Sequence, residues 1–109
     1  MPHPRFRISP SPGGEFSFDL TAANGAILLA SERYASHSGA AHAIASVKAN
    51  AAHEERYVRR LSQRDEPYFV LKAENGEIIA TSEMYSSPGA RDAGIGSVME
   101  NAPKALVEG

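Results

Sequence analysis

The feature that most constrains this chain is an internal repeat, because the residue types of 16–51 recur in the same order at 67–102. Matched residues lie 51 positions apart, as Phe18 and Phe69 do. Self-similarity at a fixed period indicates one structural unit made twice, with a core that the copies share. The other matches include Leu20 with Leu71, Asn24-Gly25 with Asn75-Gly76, Ser31-Glu32 with Ser82-Glu83, Tyr34 with Tyr85, and Ser46-Val47 with Ser97-Val98.

Each copy begins with the residue alternation of a β-hairpin. In the first copy Phe18 and Leu20 share one face of a strand, and polar residues take the other face. The Asn-Gly dipeptide that follows is typical of a two-residue type I′ turn, whose central residues both have positive φ. Such a turn fixes the register and predicts the pairs Ala22 with Ile27, Leu20 with Leu29, Ala73 with Ile78, and Leu71 with Ala80.

The remainder of each copy predicts one helix and one earlier strand. Helical spacing follows each hairpin, and Ser36 and Ser87 are suited to cap the two helices. Strands are also predicted at 5–9 and 56–61, where Phe6 and Tyr57 correspond. We therefore predict an α+β fold in which tandem β-β-β-α repeats form one shared antiparallel sheet with both helices on one face. The chain is treated as a single domain, with repeat one at 1–53 and repeat two at 54–109.

Three strings of residues carry a family resemblance. They are Phe-Val-Leu-Lys-Ala-Glu-Asn-Gly-Glu at 69–77, Thr-Ser-Glu-Met-Tyr-Ser-Ser at 81–87, and Gly-Ile-Gly-Ser-Val at 94–98 with Asn101 after it. Over nearly its whole length the chain resembles the YegP-like family of small bacterial tandem-repeat proteins. The resemblance implies a pseudo-dimer whose copies exchange strands, and it implies no activity. The chain departs from the pattern at Ala43, which replaces a glycine, and its short tail after Pro103 leaves open whether a final strand forms.

Composition argues against several classes of function. The chain has no cysteine, which excludes a disulfide framework, a thiolate nucleophile and a zinc ribbon. Its net charge of −2 gives no general attraction to nucleic acid or to anionic membranes. No apolar run approaches the roughly 18 residues that a membrane span needs. We expect a cytoplasmic protein with no cofactor and no membrane segment.

No catalytic, metal or nucleotide signature is complete. His53-Glu54-Glu55-Arg56-Tyr57 begins like a zinc-protease helix, but Tyr57 stands where the second histidine is needed. Gly94-Ile95-Gly96 begins like a dinucleotide fingerprint, but Met99 replaces the third glycine. We therefore predict that the chain is not an enzyme. Whether the histidines cluster in space stays open, although surface positions are favoured for His3, His37, His42 and His53.

A Ser-Glu-x-Tyr motif occurs once in each copy. Because it is repeated, we predict a structural role, in which the tyrosine packs between sheet and helix with its hydroxyl hydrogen-bonded. A pair of symmetric ligand sites is the alternative. With the hairpin turns, the repeated residues of predicted structural role are Asn24, Gly25, Ser31, Glu32, Tyr34, Asn75, Gly76, Ser82, Glu83 and Tyr85.

Arginine is concentrated on the connecting strand. Arginine forks beside an aromatic ring can contact phosphate and stack on bases, which makes this strand a candidate anion or nucleic-acid patch. We favour the alternative of a solvated edge strand, since acidic residues flank the patch and partly neutralise it. Nucleic acid is accordingly not an expected partner. The residues of the patch are Arg56, Tyr57, Arg59, Arg60 and Arg64.

The predicted register leaves one apolar patch on the sheet face away from the helices. It assigns Tyr68, Val70 and Ile79 of the second copy to that face, whereas the first copy places mostly polar residues and Leu28 there. An exposed apolar patch on a small domain is typical of a contact surface. We therefore predict a non-enzymatic binding or interaction module that contacts a protein partner or self-associates weakly. A weak nucleic-acid or anion binder is the second hypothesis, and an enzyme is the third.

Overall fold

A computed structural model describes residues 3–109. It contains seven strands and two α-helices, and all but the last strand run in the order predicted from the repeat. The elements are β1 (Arg5–Ser11), β2 (Glu15–Thr21), β3 (Ile27–Ser31), α1 (His37–Asn50), β4 (Tyr57–Leu61), β5 (Pro67–Lys72), β6 (Ile78–Thr81), α2 (Pro88–Asn101) and β7 (Leu106–Glu108).

All seven strands form one sheet in the order β4-β5-β6-β3-β2-β1-β7. The prediction of a shared α+β sheet is confirmed, but the sheet is not wholly antiparallel, because β7 runs parallel to β1. The tail after Pro103 thus forms the final strand and returns to the first copy. Glu108 stabilises this return, since its carboxylate lies 3.4 Å from Arg5 and 3.8 Å from Arg7.

The two copies meet where β3 pairs with β6. Ala30 lies opposite Thr81, the residue 51 positions further along the chain. This pair therefore marks a local twofold axis that relates the copies. Each of the first three strands in the sequence has a counterpart in the second copy: β1 matches β4, β2 matches β5 and β3 matches β6.

Both hairpin turns differ from the predicted type I′ geometry. Gly25 and Gly76 have positive φ, at 88° and 86°, but neither asparagine does. Gly25 N–H donates to Ala22 O at 2.9 Å, and Ala22 N–H donates to Ala26 O, also at 2.9 Å. This pattern is a three-residue loop, a type I turn closed by a glycine in the left-handed region.

The longer loop shifts the register by a β-bulge in each hairpin. Leu20 pairs with Leu29 as predicted, but Ile27 pairs with Thr21 instead of Ala22, and Leu28 is the extra residue. In the second hairpin Leu71 pairs with Ala80 as predicted, whereas Ile78 pairs with Lys72 instead of Ala73. A bulge turns its extra side chain toward the face of its neighbour. The extra residues, Leu28 and Ile79, therefore join the hydrophobic core, at 7% and 5% exposure, instead of the open face.

The helices cover one face of the sheet and enclose a single core. Each begins at the predicted cap, with Ser36 Oγ accepting from Gly39 N–H and Ser87 Oγ accepting from Ala90 N–H. The core joins large side chains from both copies, among them Phe6, Leu20, Leu29, Val47, Phe69, Leu71 and Val98, which are fully buried. Within residues 3–109 no helix has the length and apolar character needed to cross a membrane.

The buried side chain of Tyr57 predicts how stability responds to alkaline pH. Burial raises the pKa of Tyr57, and nearby Glu54 raises it further. Its hydroxyl donates to Ala51 O at 2.7 Å. An unfolded chain ionises its tyrosines near pH 10, about the ordinary value. Because the folded state keeps the proton of Tyr57, stability should be complete below about pH 10 and fall as the pH rises further.

A Tyr57→Phe variant tests this origin of alkaline sensitivity. At neutral pH we expect it to lose about 1 kcal/mol through the missing hydrogen bond. Above about pH 10 its stability should fall less steeply than that of the wild type, because this ionisation is gone. Urea denaturation between about pH 8 and 11 measures both effects. Parallel profiles for the two proteins would contradict the assignment.

Candidate functional site

The repeated serines extend the sheet by hydrogen bonds. Ser31 Oγ accepts from Phe18 N–H at 2.8 Å and donates to Glu32 O at 2.7 Å. Ser82 makes the same pair of bonds, accepting from Phe69 N–H at 2.9 Å and donating to its neighbour's carbonyl at 2.8 Å. The serine hydroxyl thus replaces a backbone group where each hairpin ends.

The repeated tyrosines pack as predicted, although their hydroxyls do not bond as predicted. Tyr34 stacks on Phe18 at 6.4 Å between ring centroids, and Tyr85 stacks on Phe69 at 6.3 Å. Within the described part of the chain, neither hydroxyl makes a hydrogen bond, and that of Tyr85 lies against Gly94 of α2. Both rings therefore pack on core phenylalanines, while a structural role for the whole motif stays a prediction, and both hydroxyls retain their capacity for hydrogen bonding.

The structure distributes the arginine strand over several surfaces. Tyr57 is buried at 6% exposure, so its ring cannot stack on a base. Arg59 lies on the helix side and donates to Asp92 at 2.9 Å, while Arg60 pairs with Tyr68 on the opposite face. Arg56 donates to a buried asparagine amide and Arg64 lies in an exposed turn. These residues do not form one continuous cationic surface.

We expect little or no RNA binding at physiological salt, and weak, salt-dependent binding at low salt. The reason is that Asp92 and Glu54 already pair with Arg59, and the Arg59 and Arg91 guanidinium groups hold the pKa of Asp92 below its usual value. Phosphate contacts would have to replace these pairs. Fluorescence anisotropy with single-stranded RNA measures the affinity. Submicromolar binding that Arg59→Glu with Arg60→Glu abolishes would show a nucleic-acid site.

The predicted apolar patch is largely absent from the surface. Ile79 faces the core because of the bulge, and Val70, although it is on the helix-free face, is 2% exposed. Neighbouring strands enclose Val70, which lies opposite Val58 on one side and Thr81 on the other. Tyr68 alone of the three stays partly exposed. A contact surface at Tyr68 and weak self-association stay predictions.

The histidines occupy separate places. His37 begins α1 and hydrogen-bonds the carbonyl of Gly109, His42 lies on the next turn of α1, and His53 is 3.9 Å from the Glu55 carboxylate. His3 is exposed near the start of the described chain. Among residues 3–109, no three histidine, aspartate or glutamate side chains are grouped closely enough to hold a metal ion.

A groove of about 250 Å³ lies between the two copies, on the helix side of the sheet. The first copy contributes Tyr34 and one face of α1, and the second copy contributes the end of the β5–β6 hairpin. We call this feature the inter-repeat groove. Its lining residues are Tyr34, Gly39, His42, Ala43 and Ser46 from the first copy and Ala73, Asn75, Glu77, Ile78 and Ile79 from the second.

The inter-repeat groove departs from the symmetry of the fold. At the corresponding place beside Tyr85, the counterpart of His42 is Ala93, that of Glu77 is Ala26, and that of Ala43 is Gly94. A methyl group added at Gly94 would overlap the Tyr85 hydroxyl. In the second copy the tyrosine therefore packs directly on its helix. In the first copy the methyl of Ala43 occupies that position.

Gly94→Ala is expected to destabilise the chain by about 1–2 kcal/mol. The added methyl must displace Tyr85, which costs about 1–3 kcal/mol, and the better helix propensity of alanine offsets part of that cost. Gly96→Ala is the matched control. Nothing lies within 4 Å of its added methyl, so this change should stabilise by about 1 kcal/mol. Urea denaturation should give opposite signs, and equal shifts would contradict the contact.

The first-copy tyrosine lies in an acidic environment. Burial raises the pKa of Tyr34, and the carboxylates of Glu32 and Glu77 raise it further. Glu77 belongs to the other copy, so the repeats jointly create this field. No lysine or arginine lines the groove in the described part of the chain. The groove thus joins a neutral phenol, the Glu77 carboxylate and an apolar wall made by Ala43, Ala73 and Ile79.

Comparison with known proteins gives consistent matches along the chain. The family model of DUF1508, a domain of unknown function, matches twice, at residues 12–57 and 62–108. A UPF0339 protein of Shewanella oneidensis is 47% identical over 103 residues, which cover 94% of each chain. The UPF0339 protein YegP of Yersinia pestis is 44% identical, over 94% of this chain and 92% of its own.

Two solved structures share the fold. The solution NMR structure of a UPF0339 protein from Shewanella oneidensis superimposes with a TM-score of 0.90 at 46% identity, covering 96% of this chain and 89% of that one. The solution NMR structure of yegP from E. coli, a protein of unknown function, gives a TM-score of 0.91 at 39% identity, covering 99% and 93%. The α+β architecture with duplicated units is therefore that of a recognised group of bacterial proteins.

Proposed function

Because the chain belongs to the UPF0339 family, whose function is unknown, we propose from its own residues that it is a non-enzymatic binding module with its ligand site in the inter-repeat groove. One observation carries the proposal. The groove lies between the copies, and three of its lining residues, His42, Ala43 and Glu77, have smaller counterparts in the other copy, namely two alanines and a glycine.

The size and lining of the groove favour a small ligand. Its volume is somewhat below the roughly 300 to 1,000 Å³ of typical small-molecule sites. An apolar wall with a few convergent polar groups is the usual composition of such sites. The unsatisfied Tyr34 hydroxyl and the His42 ring supply two of those groups.

The same residues favour binding over catalysis. Ser46 is the aliphatic hydroxyl on the groove wall, and its Oγ accepts a hydrogen bond from Asn50 at 3.3 Å. Within residues 3–109 no hydrogen bond joins this serine to His42. A nucleophile needs an adjacent base to be activated, and this serine does not have one.

An NMR fragment screen with a pair of matched variants tests the proposal. Fragments of mixed charge should shift the amide signals of Gly39, Ser46 and Asn75 more than those elsewhere. Ser46→Leu fills the groove and should abolish these shifts. Ser97→Leu, at the corresponding position of α2, is the control and should preserve them. Shifts that cluster elsewhere, or that persist in Ser46→Leu, would contradict the proposal.

A further inference from the structure

We propose that the inter-repeat groove selects a small organic cation, a protonated amine attached to a short apolar chain. This inference rests on the proposed function and names the chemical class of the ligand. The argument uses the charges at the groove, the polar groups that it leaves unpaired, and the apolar wall beside them.

The fixed charge around the groove is negative. The Glu77 carboxylate lines the groove. Glu32, two residues before Tyr34 in the sequence, adds a second negative charge near the Tyr34 phenol. Lysine and arginine are absent from the lining formed by the described residues. An anionic ligand would meet like charges, whereas an ammonium group would be attracted.

Tyr34 offers a cation two favourable contacts. Its ring carries a negative π face that attracts ammonium groups, and its hydroxyl oxygen can accept an N–H hydrogen bond. The backbone of Tyr34 is held in place by two bonds with Phe16, at 2.8 and 2.7 Å. The phenol is therefore positioned before any ligand arrives, which reduces the entropy that binding must lose.

The remaining wall suits the apolar part of the ligand. Ala43 and Ile79 are buried at 7% and 5% exposure and lie at the base of the groove, with Ala73 beside them. A short alkyl chain can cover these groups while its ammonium faces Glu77. The groove volume of about 250 Å³ limits the ligand to a small molecule.

The second copy supports the assignment by what it lacks. Around Tyr85 the position of Glu77 holds Ala26, and the tyrosine hydroxyl packs on Gly94. The second copy therefore lacks the acidic side chain of the groove, and its tyrosine hydroxyl packs on the helix.

Three isosteric probes separate charge selectivity from simple groove binding. The intact chain is titrated with n-butylammonium, 1-butanol and butyrate, and the amide signals of the groove are followed by NMR. We expect n-butylammonium to bind at least tenfold more tightly than 1-butanol, and butyrate to bind least. Added salt should weaken the ammonium complex and leave the butanol complex nearly unchanged.

Matched variants identify the charge responsible. Glu77→Gln should lower the affinity for n-butylammonium severalfold without changing that for 1-butanol. Glu74→Gln removes a charge from the same hairpin outside the groove lining and should have a smaller effect. Equal binding of all three probes would overturn the cation assignment and leave the groove as a binding site. Absence of groove shifts with every probe would overturn the cation assignment, while the fragment screen independently decides the proposed function.

Discussion

Replacing Val70 and Ile79 together by lysine is expected to unfold the chain or to destabilise it by roughly 5 kcal/mol or more. Truncation of a buried aliphatic side chain already costs about 2–5 kcal/mol, and a buried ammonium adds the cost of desolvation. Both side chains are buried, since Val70 is 2% exposed and Ile79 is 5% exposed. Circular dichroism during heating and urea denaturation measures the loss.

A second double variant controls for the added charge. Ile27 and Leu61 are 43% and 60% exposed, so lysine at both positions should change stability by less than about 1 kcal/mol in total. An unchanged melting temperature for the Val70 and Ile79 variant would show that these side chains face solvent. That outcome would support the apolar contact surface that the sequence predicts when the hairpin is assumed to have no bulge.

The second large effect is expected when the repeats are separated. Residues 1–53 alone should not form a stable monomer, because β3 would lose its pairing with β6 and α1 would lose its contact with the second hairpin. The unpaired backbone groups along the exposed edge of β3 can instead hydrogen-bond to β3 of a second copy of the fragment. A homodimer is therefore the expected folded form, with Ala30 opposite Ala30 of its partner.

Sedimentation and concentration-dependent unfolding test this result. A homodimer should melt at a temperature that rises with protein concentration, since association stabilises the folded state. Mixing 1–53 with 54–109 should restore a heterodimer that resembles the intact chain. A monomeric fragment 1–53 that unfolds cooperatively would contradict the shared-core picture.

The sequence predicts the architecture well because the repeat provides two independent readings of each element. Leu20 with Leu29 and Leu71 with Ala80 identify the same pairing twice, and both pairings are found. The predicted turn type was wrong, because the Asn-Gly dipeptide is compatible with two kinds of hairpin loop. The two-residue loop needs positive φ at the asparagine, whereas the observed loop needs it only at the glycine.

That single difference explains the error about the apolar patch. One more loop residue introduces the bulge, and the bulge moves Ile79 and Leu28 from the open face to the core. Strand alternation reports side-chain faces correctly only while the register is regular. The sequence marks each bulge only by consecutive apolar residues, at 27–29 and 78–80, where regular alternation would have a polar residue in the middle.

The inter-repeat groove was missed for a different reason. Its walls come from α1 and from a hairpin of the other copy, which are distant in sequence and meet only across the twofold axis. The counterparts of His42, Ala43 and Glu77 differ from them, but so do the counterparts of many other residues, and only the folded structure brings these three together.

The pairing of β3 with β6 also bears on how such a chain can diversify. A one-repeat protein that dimerised through this strand would carry every amino-acid change on both sides of its axis, and its two grooves would stay identical. Covalent fusion of the copies removes that constraint, because each codon then affects one side only. One copy can keep a glycine that stabilises the fold while the other acquires the residues of a binding site. Duplication followed by fusion thus divides structural maintenance and innovation between the halves of one chain.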